Sequence, residues 1–305
     1  MTVRLSIRTA IWRSHVAQMV ARTPGLVPVV KGNGYGFGRS FLAGIAAEFA
    51  DTIAVGTVHE LGDLPDSVDP VVLTPTLHPP ASDRPILTVG RSDHLTVLDN
   101  WRGRVIVKLR TELRRYGGEP EMIEAARSAG HEVVGVGLHP PLAGTEDHRL
   151  EQVVAALASV PTDVEVWVSH LTPESYAALP SSHRYRIRIG TALWHGDKSA
   201  LHLDADVLNV RPVERGDTAG YQLGALAGDG HLVMVGAGTA NGVTALPDGR
   251  SPFHFGRVRM ALHEPPHMHT SMVFVPDGDP LPGIGDWVDV QRPLHMTTVD
   301  VHEWL

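Results

Sequence analysis

Two patterns in the sequence predict an α/β chain: a (β/α)8 TIM-type barrel over residues 11–205, followed by a smaller all-β domain over residues 206–305. The first is a series of short apolar runs alternating with helix-like or turn-rich stretches through the first two thirds of the chain. Strands that alternate with helices form parallel sheets, and eight of them point to a closed barrel. The second is a change of character after Leu203, where short β-like runs follow one another between turns and no helical period stands out.

In chain order, residues 3–7 read as a short strand, which joins the later β domain if residues 1–10 fold with it. Thr9 is the expected N-cap of a helix running to Arg22, with Ile11, Trp12, Val16 and Met19 on one side. Leu26–Val30 is a strand that ends at Lys31, and further strands are expected at 52–57, 70–74, 86–89, 104–109, 132–139, 164–169 and 185–190. The clearest helices between them are 119–129 and 148–159, while the proline-rich stretch 75–85 is too broken for a full helix. An open doubly wound sheet is the alternative that pattern alone allows. In the last third, strands are expected at 207–210, 231–235, 254–260, 271–275, 287–290 and 297–304.

The composition excludes several classes. The 305 residues are 43% hydrophobic and 20% charged, with no apolar span long enough to cross a bilayer and no signal-peptide core near Met1. Zero cysteines exclude disulfides, thiolate metal sites and cysteine nucleophiles, and fit a cytoplasmic protein. A net charge of −8 argues against nucleic acid as a partner. His263-Glu264-Pro265-Pro266-His267 spells the metalloprotease pattern, but that chemistry needs both histidines on one helix face and two adjacent prolines forbid the helix. No metal site is therefore expected.

The stretch Val29-Val30-Lys31-Gly32-Asn33-Gly34-Tyr35-Gly36-Phe37-Gly38 carries the chemistry. A lysine where a buried strand opens into a cleft is partly desolvated, which lowers its pKa and frees its amine to attack a carbonyl. The glycines let backbone approach a bound group closely, and Tyr35 offers a hydroxyl at short range from Lys31. An ordinary strand end with a surface lysine and a flexible turn is the plain alternative.

This stretch resembles the pyridoxal-phosphate lysine motif of the alanine racemases, Lys-Ala-Asn-Ala-Tyr-Gly-His-Gly, with glycine at both alanines and Phe37 at the histidine. Further landmarks of that family recur in order, so the resemblance spans nearly the whole chain. Lys108, Thr111, Arg115 and Gly117 match Lys-x-Asp-Thr-Gly-Met-x-Arg-x-Gly, whose lysine is often carbamylated and whose arginine lies near the cofactor's phenolic oxygen. Arg110 and Glu112 replace its aspartate and glycine, so this loop must be held differently. His139 takes the place of a residue that packs on the pyridine ring, and Ser169 that of a phosphate-binding serine. Arg188-Ile189-Gly190-Thr191-Ala192-Leu193 resembles Arg-x-Gly-Ile-Ala-Leu, which implies Arg188 at the pyridine nitrogen and the Gly190 and Thr191 amides at the phosphate.

The resemblance continues in the β domain. Gly216-Asp217-Thr218-Ala219-Gly220-Tyr221 implies that Tyr221 is the second catalytic base, supplied across a homodimer interface. Met268 takes the place of a substrate-side methionine. Thr239 and His269 stand where the family has tyrosine and aspartate, and its Arg-x-x-Arg-x-Tyr tail does not occur, which marks a divergent branch. The implied function is a pyridoxal-phosphate-dependent amino-acid racemase, an isomerase interconverting L- and D-alanine. Lys31, also the Schiff-base lysine, works one face of the α-carbon and Tyr221 the other. Free tyrosine ionises near ~10, so an anion at pH 7 costs roughly 4 kcal/mol without help from neighbours. A catalytically impaired pyridoxal-phosphate binder with a carrier or regulatory role is the competing reading, and a cofactor-free assembly protein is a third.

Overall fold

The computed structural model describes residues 2–305 and divides the chain into two compact units, Ser14–Gly196 and the residues up to Arg13 together with Asp197–Leu305. The chain starts in the second unit with strand β1 (Val3–Ile7), and helix α1 (Thr9–Arg22) leads into the first. The first helical bond of α1 runs from the Trp12 amide to the Arg8 carbonyl, at 3.0 Å, so the cap falls on Arg8 and not on Thr9. The physical reason is tertiary: the Thr9 amide is already held by the Leu305 carbonyl at 2.9 Å.

Unit Ser14–Gly196 is the barrel. Its strands are β2 (Leu26–Pro28), β3 (Thr52–Val55), β4 (Asp69–Val72), β5 (Ile86–Val89), β6 (Arg104–Lys108), β7 (Glu132–Gly137), β8 (Val166–Ser169) and β9 (Tyr185–Ile189), all parallel. The order is β2-β9-β8-β7-β6-β5-β4-β3, and the Val29–Ala54 bridge closes the ring. The sheet is therefore a closed barrel, not an open doubly wound one. β3, β5 and β8 are buried throughout, which is why they read as apolar runs with no alternation. The crossover helices are α2 (Arg39–Ala46), α3 (Ser92–Val97), α4 (Met122–Ser128), α5 (Glu146–Leu157), α6 (Pro173–Ala177) and α7 (Thr191–His195). Residues 75–85 contain no helix.

The other unit is built on β10 (Leu201–Val213), which changes neighbours along its length. It pairs antiparallel with β1 over Leu201–Ala205 and then with β13 (Gly230–Val235) over Val207–Val213, with a register shift between Val207 and Asn209. A small hairpin of β11 (Thr218–Ala219) and β12 (Gly224–Ala225) lies between them in sequence. The stretch expected as one strand over 254–260 is a hairpin, β14 (Phe253–Phe255) and β15 (Val258–Arg259), turned by Gly256 and Arg257 with φ of 55° and 68°. β16 (Ala261–Leu262), β17 (Ser271–Pro276), β18 (Trp287–Val290) and β19 (Val301–Trp304) complete the unit, β19 lying parallel to β1. No helix among the described residues is long and apolar enough to cross a membrane.

Candidate active site

Because the eight barrel strands are parallel, their C-terminal ends share one mouth. Lys31 follows β2, Lys108 ends β6, His139 follows β7, Ser169 ends β8, and Arg188, Gly190 and Thr191 lie at the end of β9. The loop after β2 is anchored at Gly32, whose amide donates to Glu60 Oε1 at 3.2 Å and whose carbonyl accepts from Arg39. Glu60 also accepts from the Gly56 amide at 2.7 Å. Within the loop, Tyr35 is buried with φ at 54°, a left-handed conformation rare for a non-glycine residue. His195 bonds the Tyr35 carbonyl through Nε2 at 2.7 Å, and its ring meets the Tyr35 ring edge-on at 5.6 Å. The Tyr35 hydroxyl rests against Gly190, where an added Cβ would come within 2.0 Å of it.

The electrostatics are those of a cationic mouth. Lys31 is open to solvent on one side, yet the surrounding protein desolvates its amine, and this, with Arg115 and Arg188, holds it below the ordinary lysine range against the pull of Glu60. Lys108 is only 4% exposed, and desolvation followed by Arg188, Arg115 and Lys31 brings its pKa down to about 7. Its Nζ lies 4.6 Å from the Tyr116 ring centre, and the Arg115 guanidinium lies 4.8 Å from the same ring. Arg188 donates to the carbonyls of Leu138 at 2.8 Å, Trp167 at 3.1 Å and Val168 at 3.4 Å, and to Ser169 Oγ at 3.5 Å. All four acceptors are neutral, and burial, then Arg115, lowers the guanidinium to about 10. Tyr35 is pushed up to about 12 by burial and then Glu60, so it is a neutral hydroxyl donor.

His139 shares a hydrogen bond with Ser169 Oγ through Nδ1, and its ring lies 4.3 Å from that of His170. Desolvation, then Arg188, His170, Lys108 and Arg115, brings its pKa down to about 2, so the imidazole is neutral. The loop after β6 is held in its own way: Thr111 Oγ1 donates to the His139 carbonyl at 2.8 Å, Arg110 pairs with Glu119, and Glu112 accepts from Gln152 of α5 at 2.8 Å. These contacts replace whatever an aspartate and a glycine would make there.

The barrel thus gathers Lys31, Tyr35, Lys108, Arg115, His139, Ser169, Arg188, Gly190 and Thr191 around one mouth. Tyr221 and Met268 belong to the other unit, where they are 85% and 66% exposed. Sequence reasoning passed over Glu60, Tyr116, His170 and His195. Tyr116 and His170 adjoin singled-out residues, and His195 closes the β9 motif, so position along the chain could have found these three. Glu60 lies on an irregular segment with no motif to mark it.

Fold and site together define a class: a parallel (β/α)8 barrel with a cationic mouth at its C-terminal ends, joined to a mostly antiparallel β unit. Residues 7–198 match the family model for the alanine racemase N-terminal domain, and the chain belongs to that family. No curated protein matches the chain. Among solved structures, alanine racemase from Bartonella henselae, with covalently bound pyridoxal phosphate, is 18% identical with a TM-score of 0.74, covering 100% of both chains. Alanine racemase from D-cycloserine-producing Streptomyces lavendulae is 21% identical with a TM-score of 0.74, covering 100% of this chain and 97% of its own. The biosynthetic alanine racemase of Pseudomonas aeruginosa is 17% identical with a TM-score of 0.74, covering 100% and 99%. At these identities the likeness is one of fold.

Proposed function

We propose that the protein is a pyridoxal-phosphate-dependent amino-acid racemase acting on alanine. The observation that carries this reading is Lys31: a lysine with a lowered pKa beside two further cations, Arg115 and Arg188, at the mouth of the barrel. The residues present fit the cofactor. Arg188 has only neutral acceptors and Lys108 is flanked by charges of its own sign, so an anion relieves the mouth. Because Gly190 has no Cβ, the Tyr35 hydroxyl comes up against the backbone at the end of β9, where it and the Gly190 and Thr191 amides would meet a phosphate together. When bound, the cofactor supplies an electron sink for the pair left on the substrate's α-carbon.

This chain's own residues supply the rest. Lys31 holds the cofactor and then exchanges the α-proton on one face. Tyr35, with the Gly190 and Thr191 amides, binds phosphate. Arg188 would meet the ring nitrogen, where an arginine keeps its proton and would limit the sink to proton exchange. His139, oriented by its hydrogen bond with Ser169, would pack on the ring. Arg115 and Met268 contact substrate. Tyr221 exchanges the proton on the opposite face from across a homodimer, for which its exposure leaves it free. A carbamate on Lys108 would place an anion among the cations of this mouth. With no cysteine to protect, the cytoplasm is the fitting compartment.

Borohydride reduction of the loaded protein, followed by peptide mapping, tests the reading. The pyridoxyl group is expected on Lys31. Finding it on Lys108 or Lys198 overturns the assignment, and finding none favours a cofactor-free role. The loop after β6, held by Glu112 and Arg110, favours one second reading, a cofactor binder without turnover. A racemisation assay on the loaded protein separates the two.

A further inference from the structure

The sequence His263-Glu264-Pro265-Pro266-His267 spells a zinc pattern, but the fold uses it otherwise. His263 Nε2 faces the Ala219 carbonyl at 3.0 Å, and a carbonyl can only accept, so that nitrogen carries a proton. His267 Nε2 faces Glu264 Oε1 at 2.5 Å. Among the described residues no group of three or more histidine, cysteine, aspartate or glutamate side chains is placed to hold a metal ion. The contacts lead instead to the hairpin that carries Tyr221. The Tyr221 amide donates to both oxygens of Glu264, at 3.1 and 3.3 Å, and the His267 ring lies 4.5 Å from the Tyr221 ring. Gly220, at φ +79°, permits this approach, since a Cβ there would come within 2.4 Å of the Glu264 carboxylate.

The turn itself is anchored. The His263 amide donates to the Met272 carbonyl at 2.9 Å, and the His267 amide to Thr270 at 2.9 Å. The His267 carbonyl accepts from Thr239 at 2.8 Å. Pro265 and Pro266 fix φ between the anchors. The side chains of Glu264 and His267 are 9% and 18% exposed, while Tyr221 is 85% exposed. A tyrosine so open, in the turn between strands of two residues each, samples many orientations unless something holds it.

We infer that the 263–267 turn is the positioning device of Tyr221, with Glu264 and His267 as positioning residues, Glu264 acting through the backbone amide and His267 through the ring. The inference rests on the reading of Tyr221 as the second acid/base. Proton transfer requires a heavy-atom approach of hydrogen-bond length, so a phenol free to swing is out of place most of the time.

The test uses the pyridoxal-phosphate-loaded protein with 13Cζ-labelled tyrosine. The chain has five tyrosines, and Tyr221→Phe identifies the line of interest by deleting it. In Glu264→Ala and His267→Ala that line is expected to move toward the position of free tyrosine, while the other four hold theirs and so report an intact fold. Solvent-deuterium exchange at the α-carbon should fall about 10²-fold for one enantiomer only, the same one that Tyr221→Phe impairs. Glu264→Gln keeps an acceptor for the Tyr221 amide and should recover part of the loss. An unmoved line overturns the inference whatever the exchange does. A moved line with unaltered exchange overturns it as well, since the pair then orders the ring without serving the transfer. If Tyr221→Phe itself leaves both enantiomers' exchange unchanged, the reading of Tyr221 fails, and the line still decides whether the turn positions the ring.

Discussion

Lys31 and Lys108 stand among the same cations, and burial separates them. Lys31 keeps one side in solvent, whereas Lys108 is enclosed at the end of β6 with the Tyr116 ring against its ammonium. At a pKa of about 7, about half of the Lys108 amines are neutral at neutral pH. A neutral amine adds to carbon dioxide: its nitrogen lone pair forms the N–C bond, a C=O pair moves to oxygen, and the nitrogen releases a proton to water. The product is an anion among Arg188, Arg115 and Lys31. In 13C-bicarbonate, a carbamate resonance is expected that disappears in Lys108→Met. A protein with no such resonance keeps Lys108 as an amine, and its role is then to pack against Tyr116.

At the scale of elements, the middle of β7 and the end of β9 both require glycine, for different reasons. A Cβ at Gly190 would lie 2.0 Å from the Tyr35 hydroxyl, at the mouth. A Cβ at Gly135 would lie 2.5 Å from Trp167 Nε1, inside the barrel wall. Gly190→Ala is expected to weaken pyridoxal-phosphate binding at least 10-fold, read by absorbance titration, as it displaces the tyrosine that completes the phosphate seat. Gly135→Ala overpacks a core and should cost about 1–3 kcal/mol of stability in urea denaturation, with cofactor affinity unchanged. Equal loss of affinity in both variants would count against Gly190 as a phosphate position.

For the molecule as a whole, buried histidines set the acid limb of stability. The pKa values of His139, His170, His131, His94 and His254 are all lowered, each mainly by burial. The folded state resists charging these rings, while the unfolded chain protonates them below about 6.5, so their contribution to stability is full above that pH and declines as pH falls. Asp69 and Glu146, also lowered, add to the decline only nearer the carboxylate range. His139→Asn, which can keep a hydrogen bond to Ser169, should shrink the stability difference between pH 7.5 and 5.5 by about 1 kcal/mol, since one such group contributes about 1.4 kcal/mol per pH unit at most. An unchanged difference would mean that His139 takes up its proton alike in the folded and unfolded states. A homodimer with shared sites makes a second prediction at this scale. Mixed Lys31→Ala and Tyr221→Phe proteins, each inactive alone, should regain roughly a quarter of full activity after random subunit exchange, because half the dimers then hold one intact site of two. No recovery after verified exchange excludes sites shared between subunits.

The sequence by itself determined a parallel sheet of eight strands alternating with helices, and the Val29–Ala54 bridge decided that it closes into a barrel. Eight apolar runs with polar residues at one end are a local pattern, set by strand length and by burial on both faces, and it can be read without knowing what packs where. Lys31, Lys108, His139 and Arg188 were legible for the same reason, because a parallel barrel brings every strand's C-terminal end to one mouth. The strand at 254–260 was misread because a tight turn at Gly256 and Arg257 splits a short β-like stretch in which apolar and polar residues alternate. Only the tertiary structure decided which groups face each other across long separations. Leu138, 50 residues away, accepts from Arg188, 28 residues separate Glu60 from the Gly32 it anchors, and 43 residues separate Tyr221 from the Glu264 that holds it. Closing the barrel and folding the β unit create those meetings, and with them the lowered pKa of Lys108, since desolvation and the field of three converging cations depend on distance in space, which spacing along the chain does not encode.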